Sequence, residues 1–200
     1  MAKERIQYMN LLSQAKKRWT ELPAEAKDLV LARHAAGARA FDLLWRVIKR
    51  IEEKHHIDVK GILREERWNQ GFAMGQELAK KSEGNGIKDL YNAFFAQFEG
   101  KGSRVWFELN DLRQHHWTLE CPNLEHFKAF GRTDEEIKEM GPYFCLQDDA
   151  IIKGFNSNFE VSAPTRILQG DDHCTWIIED HAGKAEPIPE GGLRSPEEIP

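Results

Sequence analysis

The sequence predicts an α+β fold: a helical N-terminal half packed on an antiparallel β-sheet of about four strands, with helices inserted between two hairpins. Three observations carry this expectation. Apolar residues recur at spacings of three and four through the first hundred positions, the period of a helix. The period shortens to two in "RVWFELN" and "RQHHWTLEC", as a half-buried strand requires. A second pair of short strand-like runs, "FEVSAPTRILQ" and "HCTWIIED", follows after further helical segments. Strands that gather after a run of helices point to one sheet backed by a helical layer.

Each element has a local reason. Residues 3–19 place Ile6, Met9, Leu12, Ala15 and Trp19 on one stripe. Pro23 suits a first helical position. A long Ala- and Leu-rich helix follows to about His55, with Leu29, Ala36, Ala40, Leu43, Leu44, Val47 and Ile51, and is expected to be mostly buried. Asp58 can cap a helix to about Lys81 that carries Ile62, Trp68, Phe72 and Leu78. Its "GFAMG" reads as helix packing positions. "SEGNG" is a loop, and 87–98 forms a fourth helix with an aromatic face. In the first hairpin, Val105, Phe107 and Leu109 share one face, and His115, Trp117, Leu119 and Cys121 share another. Helices return at "NLEHFKAF" and at "TDEEIKEM", where Thr133 and Glu136 make a capping box. Gly141-Pro142 is read as a break, with a further helix from about Tyr143 to Lys153 capped by Gly154. Pro164 marks an edge or a bulge, and Gly170-Asp171-Asp172 a turn.

Residues 1–180 are thus expected to form one α+β domain, with the helical layer over 1–100 and the sheet over 101–180. The tail 181–200, rich in Pro, Gly and Glu, is expected to be extended or disordered. Two hundred residues bury a sizeable core without disulfide or metal staples. The net charge of -5 argues against general affinity for nucleic acid or an anionic membrane. The start, "MAKERIQYMN", has no apolar signal core, so a cytoplasmic protein is expected. Three cysteines without an export signal do not read as a disulfide framework. The long helix would suit a homodimer as well as a monomer's core.

The chemistry-bearing stretch is "FCLQDDAIIKGFNSNFEV" with "LQGDDHCTW". On a helix, Cys145, Asp148, Asp149 and Ile152 share one face, and Ile152 turns that face inward. A carboxylate carried inside needs a partner, a wet cavity or a proton-transfer role. In the last strand Cys174, Trp176 and Ile178 make the core face, so His173 points the other way or faces a partner. Of His115 and His116, one ring faces in and the other out. Zinc is the metal these thiols would suit, but cysteines 24 and 29 residues apart lack the close pairs of a structural zinc site, and no cofactor is expected.

"CLQDDAIIKGFNSNF" followed by "ILQGDDHCTW" resembles the L-2-amino-thiazoline-4-carboxylic acid hydrolase family. The resemblance rests on Cys145 three residues before Asp148, on Gly154-Phe155-Asn156, and on Gly170-Asp171 with Cys174 and Trp176. Ser157 stands where a proline is usual. The C-terminal part is also similar to four-vinyl-reductase type small-molecule-binding domains. The first resemblance implies a small-molecule hydrolase that opens a heterocyclic ring or cleaves a related C–N or C–S bond. It implies Cys145, Asp148, Asp149 and Cys174 as candidate catalytic residues, and Cys121, His116, Asn156, Arg166 and His173 as candidate substrate-binding residues. An aspartate would hold the amidine and take a proton from water. A thiolate would attack directly if its pKa were lowered, and Arg166 or Arg113 would hold a substrate carboxylate. The second resemblance implies a non-catalytic binding or sensing domain with packed thiols.

Overall fold

The structure, a computed structural model, describes residues 24–96 and 104–182. The helix expected over 3–19 and nearly all of the C-terminal tail lie outside the described residues. The elements run α1 (Ala24–His55), α2 (Lys60–Lys81), α3 (Ile87–Leu90, continued by a π-helical turn Tyr91–Phe95), β1 (Arg104–Leu109), β2 (Arg113–Thr118), α4 (Pro122–Ala129), α5 (Asp134–Phe155), β3 (Phe159–Ser162), a 3₁₀ turn Ile167–Gln169, and β4 (Cys174–Asp180). The four strands form one antiparallel sheet in the order β1-β2-β4-β3. The expected α+β architecture is the observed one.

Local signals set most boundaries. Asp58 accepts the N–H groups of Lys60 (3.0 Å) and Gly61 (3.4 Å), which starts α2. The Thr133 hydroxyl accepts from Glu136 N (3.2 Å) while the Glu136 carboxylate accepts from Thr133 N (2.9 Å), a reciprocal cap on α5. In the first hairpin Asn110 Oδ1 accepts from Leu112 N (2.8 Å) and Arg113 N (2.9 Å).

Several expectations are corrected. Gly141-Pro142 does not break the chain: α5 passes through Pro142. A proline removes one helical hydrogen bond, but Met140, Gly141 and Leu146 around it are buried, and that packing outweighs the local cost. Gly154 is not a cap. It sits inside α5 with its Cα against the Phe72 carbonyl of α2. The long helix α1 is not mostly buried. It buries Ala38, Phe41, Trp45 and Ile48, and exposes Leu43, Leu44 and Val47. On α2, Leu63 is buried and Ile62 is exposed. The run from Phe159 is a strand only to Ser162.

The core face expected for the last strand is the inner one, and of the two histidines in β2 it is His116 that turns toward it. A bulge between Trp106 and Glu108 shifts the β1–β2 register. The inner face takes Trp106, Gln114, His116, Trp176 and Ile178, with Gln114, His116 and Ile178 fully enclosed. Phe107, His115 and Trp117 stack together on the other face. β2 ends at Thr118, so Leu119 and Cys121 leave the sheet and turn back into the interior.

Two larger apolar clusters, and a small one of Trp68, Leu146 and Ala150 between α2 and α5, lie among the described residues. One joins the sheet to α3 and α5 through Phe95, Ile152, Phe155, Phe159, Trp176 and Ile178. The other joins α1, α4 and α5 through Phe41, Trp45, Phe127, Ile137 and Met140. Cys121 and Leu124 touch both. Between α2 and α5 the backbones pack closely. A Cβ on Gly71 would meet the Gln147 carbonyl, and one on Gly75 the Ile151 carbonyl. "GFAMG" is thus a packing stripe. Among the described residues no helix is long and apolar enough to cross a membrane.

Candidate active site

A cavity of about 300 Å³ is lined by α1, α2, the π-helical turn, the start of α4, the middle of α5 and the core face of β4. Its polar lining is concentrated. Three guanidinium groups, from Arg67, Arg104 and Arg166, face three thiols, from Cys121, Cys145 and Cys174, with Asp148 among them. Phe94, Phe95, Phe144 and Trp176 supply the apolar surface. The cavity is large enough for a small organic molecule.

Each side chain is placed by its element. Cys145 and Asp148 lie one helical turn apart on α5, whose two sides are fixed by α2 and by the 3₁₀ turn. Cys174 opens β4, and its sulfur accepts from Ile167 N at 3.2 Å. Cys121 stands just before α4. Arg166 is held by the loop that "GDD" closes. Asp171 accepts the Arg166 N–H at 2.7 Å, and Thr165 and Thr175 join their hydroxyls at 2.7 Å. Gly170 completes the turn at φ +100, where a side chain would be strained. The motif's aspartate therefore holds the backbone that presents Arg166.

Charge is unevenly neutralised. Arg166 forms an ion pair with Asp149 and lies 4.1 Å from the centre of the Trp176 ring. Arg67 lies between Phe41 and Phe144, 5.2 and 5.5 Å from their centres, and donates to the Phe144 carbonyl at 2.9 Å. Among the described residues no carboxylate forms an ion pair with Arg67, and its buried Nε has no hydrogen-bond partner. Arg104 donates to the Phe95 carbonyl at 3.0 Å.

Asp148 is deep in the protein and yet keeps accessible surface, because that surface faces the cavity. Among the described residues nothing donates a hydrogen bond to it. Burial pushes its pKa up to about 6. Arg166, Arg67 and Arg104 oppose that rise, and neighbouring Asp149 adds to it. The thiols move further from use as nucleophiles. Burial pushes Cys121 up to about 12 and raises Cys145 well above the ordinary thiol range, and Cys174 rises too. All three are thiols at neutral pH, not thiolates.

The other candidates lie elsewhere. His116 is fully buried on the inner face of the sheet, stacked among Trp106, Phe95 and Trp176 and behind the cavity wall. Burial, with Arg104 and His115 nearby, pushes its pKa well down, so the ring is neutral. His173 is buried on the opposite face against Trp117, 4.9 Å between centres, and pairs with Asp172. It faces neither solvent nor the cavity. Asn156 closes the end of α5, donating to the Asn85 carbonyl at 2.9 Å. Arg113 is at the far end of the sheet, paired with Glu179 at 3.1 Å and Glu108 at 3.4 Å. Among the described residues no three His, Cys, Asp or Glu side chains are grouped as a metal ion would need.

Sequence reasoning missed Arg67 and Arg104. Arg67 sat in a charged run, "LREERWNQ", of the kind usually solvated. A signal was present: Arg67, Gly71 and Gly75 repeat every four residues, so the arginine lies on the stripe that meets α5.

The family model of L-2-amino-thiazoline-4-carboxylic acid hydrolases matches residues 33–178. The chain belongs to this family. The match covers well over half of the chain, the described helices from residue 33 of α1 onward and every residue that lines the cavity. It does not bear on the likeness to four-vinyl-reductase domains. No curated protein and no solved structure matched.

Proposed function

We propose that this member of the L-2-amino-thiazoline-4-carboxylic acid hydrolase family opens a small cyclic amidine that carries a carboxylate, with Asp148 as the proton acceptor. The observation that carries the reading is the unpartnered carboxylate of Asp148 facing a cavity rich in guanidinium groups. A general base works best with a pKa near the working pH, and burial brings Asp148 there. Arg67, without an ion-pair partner among the described residues, takes the substrate carboxylate through a charge-assisted bond. Arg166 is already paired with Asp149 and helps to keep Asp148 ionised.

The step balances without a cofactor. Asp148 removes a proton from water as the oxygen bonds to the amidine carbon. The C–S bond of the ring then breaks as the new hydroxyl becomes a carbonyl: the sulfur takes the proton from Asp148, and the hydroxyl proton ends on the former imino nitrogen of the amidine. A urea-type carbon and a free thiol result. The protonated state of Cys121, Cys145 and Cys174 favours water over a protein thiolate as the nucleophile.

The test uses 2-amino-thiazoline-4-carboxylate as substrate and follows the thiol released. Asp148→Asn should lower turnover by about 10²–10⁴-fold with the melting transition retained. Turnover at the wild-type rate in a folded Asp148→Asn protein would remove Asp148 from the reaction.

A further inference from the structure

Several of the described glycines have a physical reason in their surroundings, and Gly61 and Gly86 stand at helix starts; Gly37 stands deep inside a helix. Gly71, Gly75, Gly141 and Gly154 touch neighbouring backbone so closely that a Cβ would clash. Gly131 and Gly170 adopt positive φ. Gly37 does neither. It lies in the interior of α1, its φ is ordinary, and among the described residues a Cβ there meets nothing within 4 Å. Glycine is a poor helix former, so neither packing nor propensity accounts for it.

Its position does. Gly37 is exposed to solvent and also lines the cavity, as does His34 one turn earlier on α1. A residue that is both marks where the cavity opens to bulk water. Around Gly37 the helix is fixed on α4: His126 meets the Leu31 carbonyl of α1 at 2.7 Å, and the Arg39 guanidinium lies 6.0 Å from the centre of the Phe130 ring. With α1 held there, what projects from position 37 stands at the cavity's edge.

We propose that Gly37 sets the width of the cavity entrance and so the size of the molecule admitted to the Asp148 site. The inference deepens the proposed function and rests on it only for the identity of what enters. A large side chain at this position would project into open space at the mouth without meeting the core.

The experiment reads access through the cavity thiols, so it does not depend on turnover. Wild type, Gly37→Ala, Gly37→Leu and Gly37→Trp are treated at mildly alkaline pH with methyl methanethiosulfonate or with its benzyl analogue. Modification of Cys121 and Cys145 is followed over time by peptide mass spectrometry. Gly37→Ala should melt at or above the wild-type temperature. In Gly37→Trp the benzyl reagent should react about tenfold more slowly than in wild type, while the methyl reagent changes less than about threefold. Gly37→Leu should fall between, and serves alone if the tryptophan variant fails to fold. Equal benzyl rates in wild type and the bulky variants would overturn the proposal. So would a lowered melting temperature in Gly37→Ala, which would mean that packing requires the glycine. Because burial slows both thiols with either reagent, the ratio of benzyl to methyl rates is what is read, and a ratio in Gly37→Trp equal to that of wild type would also overturn the proposal. These rates are measured with Asp148 in place and without turnover, so a failure of the hydrolase reading in the Asp148→Asn assay does not enter them and the two failures are distinguishable.

Discussion

At the scale of the residue, Asp148 carries the sharpest consequence. Its folded pKa of about 6 lies above the ordinary aspartate value of about 4. Between those pH values the folded chain binds a proton that the unfolded chain has released. This group therefore lowers stability as pH rises through that window, and its cost is fully present above it. Asparagine cannot ionise and escapes the cost. The stability of Asp148→Asn relative to wild type should grow by about 2–3 kcal/mol from about pH 4 to neutral pH and then level off. Urea unfolding across that range measures it, and a flat difference would place the carboxylate in a wetter setting. Arg67 gives the second residue-scale expectation. Its Nε is buried and unpartnered while its guanidinium faces the cavity. Arg67→Ala should raise KM by about 10–100-fold with a smaller change in kcat, the cost of one charge-assisted contact. An unchanged KM would assign the substrate carboxylate to another cation.

At the scale of the element, the site depends on how closely α2 meets α5. Gly71 and Gly75 on one helix, and Gly154 on the other, let the backbones touch. That approach brings Arg67 of α2 to the same cavity as Cys145 and Asp148 of α5. Gly154→Ala places a methyl group against the Phe72 carbonyl, and backbone cannot yield as a flexible side chain does. The variant should lose about 1–3 kcal/mol of stability by denaturant unfolding. Wild-type stability would show that the helices can separate at no cost. Pro142 belongs to the same scale. A proline rule that reads only local sequence ends the helix there, whereas α5 continues because the turns on either side are buried. Asn110 and Thr133, by contrast, act within a few residues of themselves, so their turn and cap were legible without any tertiary information.

At the scale of the molecule, the cavity is a seam between two apolar clusters. One anchors the sheet on α3 and α5, and the other anchors α1 and α4 on α5. Neither cluster supplies the full polar lining. The thiols come from before α4, from α5 and from β4, and the guanidinium groups from α2, β1 and the loop before the 3₁₀ turn. An arrangement drawn from so many elements exists only when all are packed. It also explains the raised pKa values: each group is carried inward by an element whose other residues are core, and burial then disfavours its charge.

The sequence by itself determined the α+β class, the order of helices and strands, the α5 cap, and the inward face that holds Cys145, Asp148 and Ile152, because period and capping are properties of neighbours along the chain. It also carried the family resemblance that the match over residues 33–178 bears out. Only the tertiary structure decided that α5 runs through Pro142, that β2 buries His116 and Gln114, that His173 packs on Trp117, and that Arg67 rather than Arg113 reaches the cavity. These depend on which surface each element turns toward its neighbours, and that is fixed by burial of the whole core, which no short stretch of sequence contains.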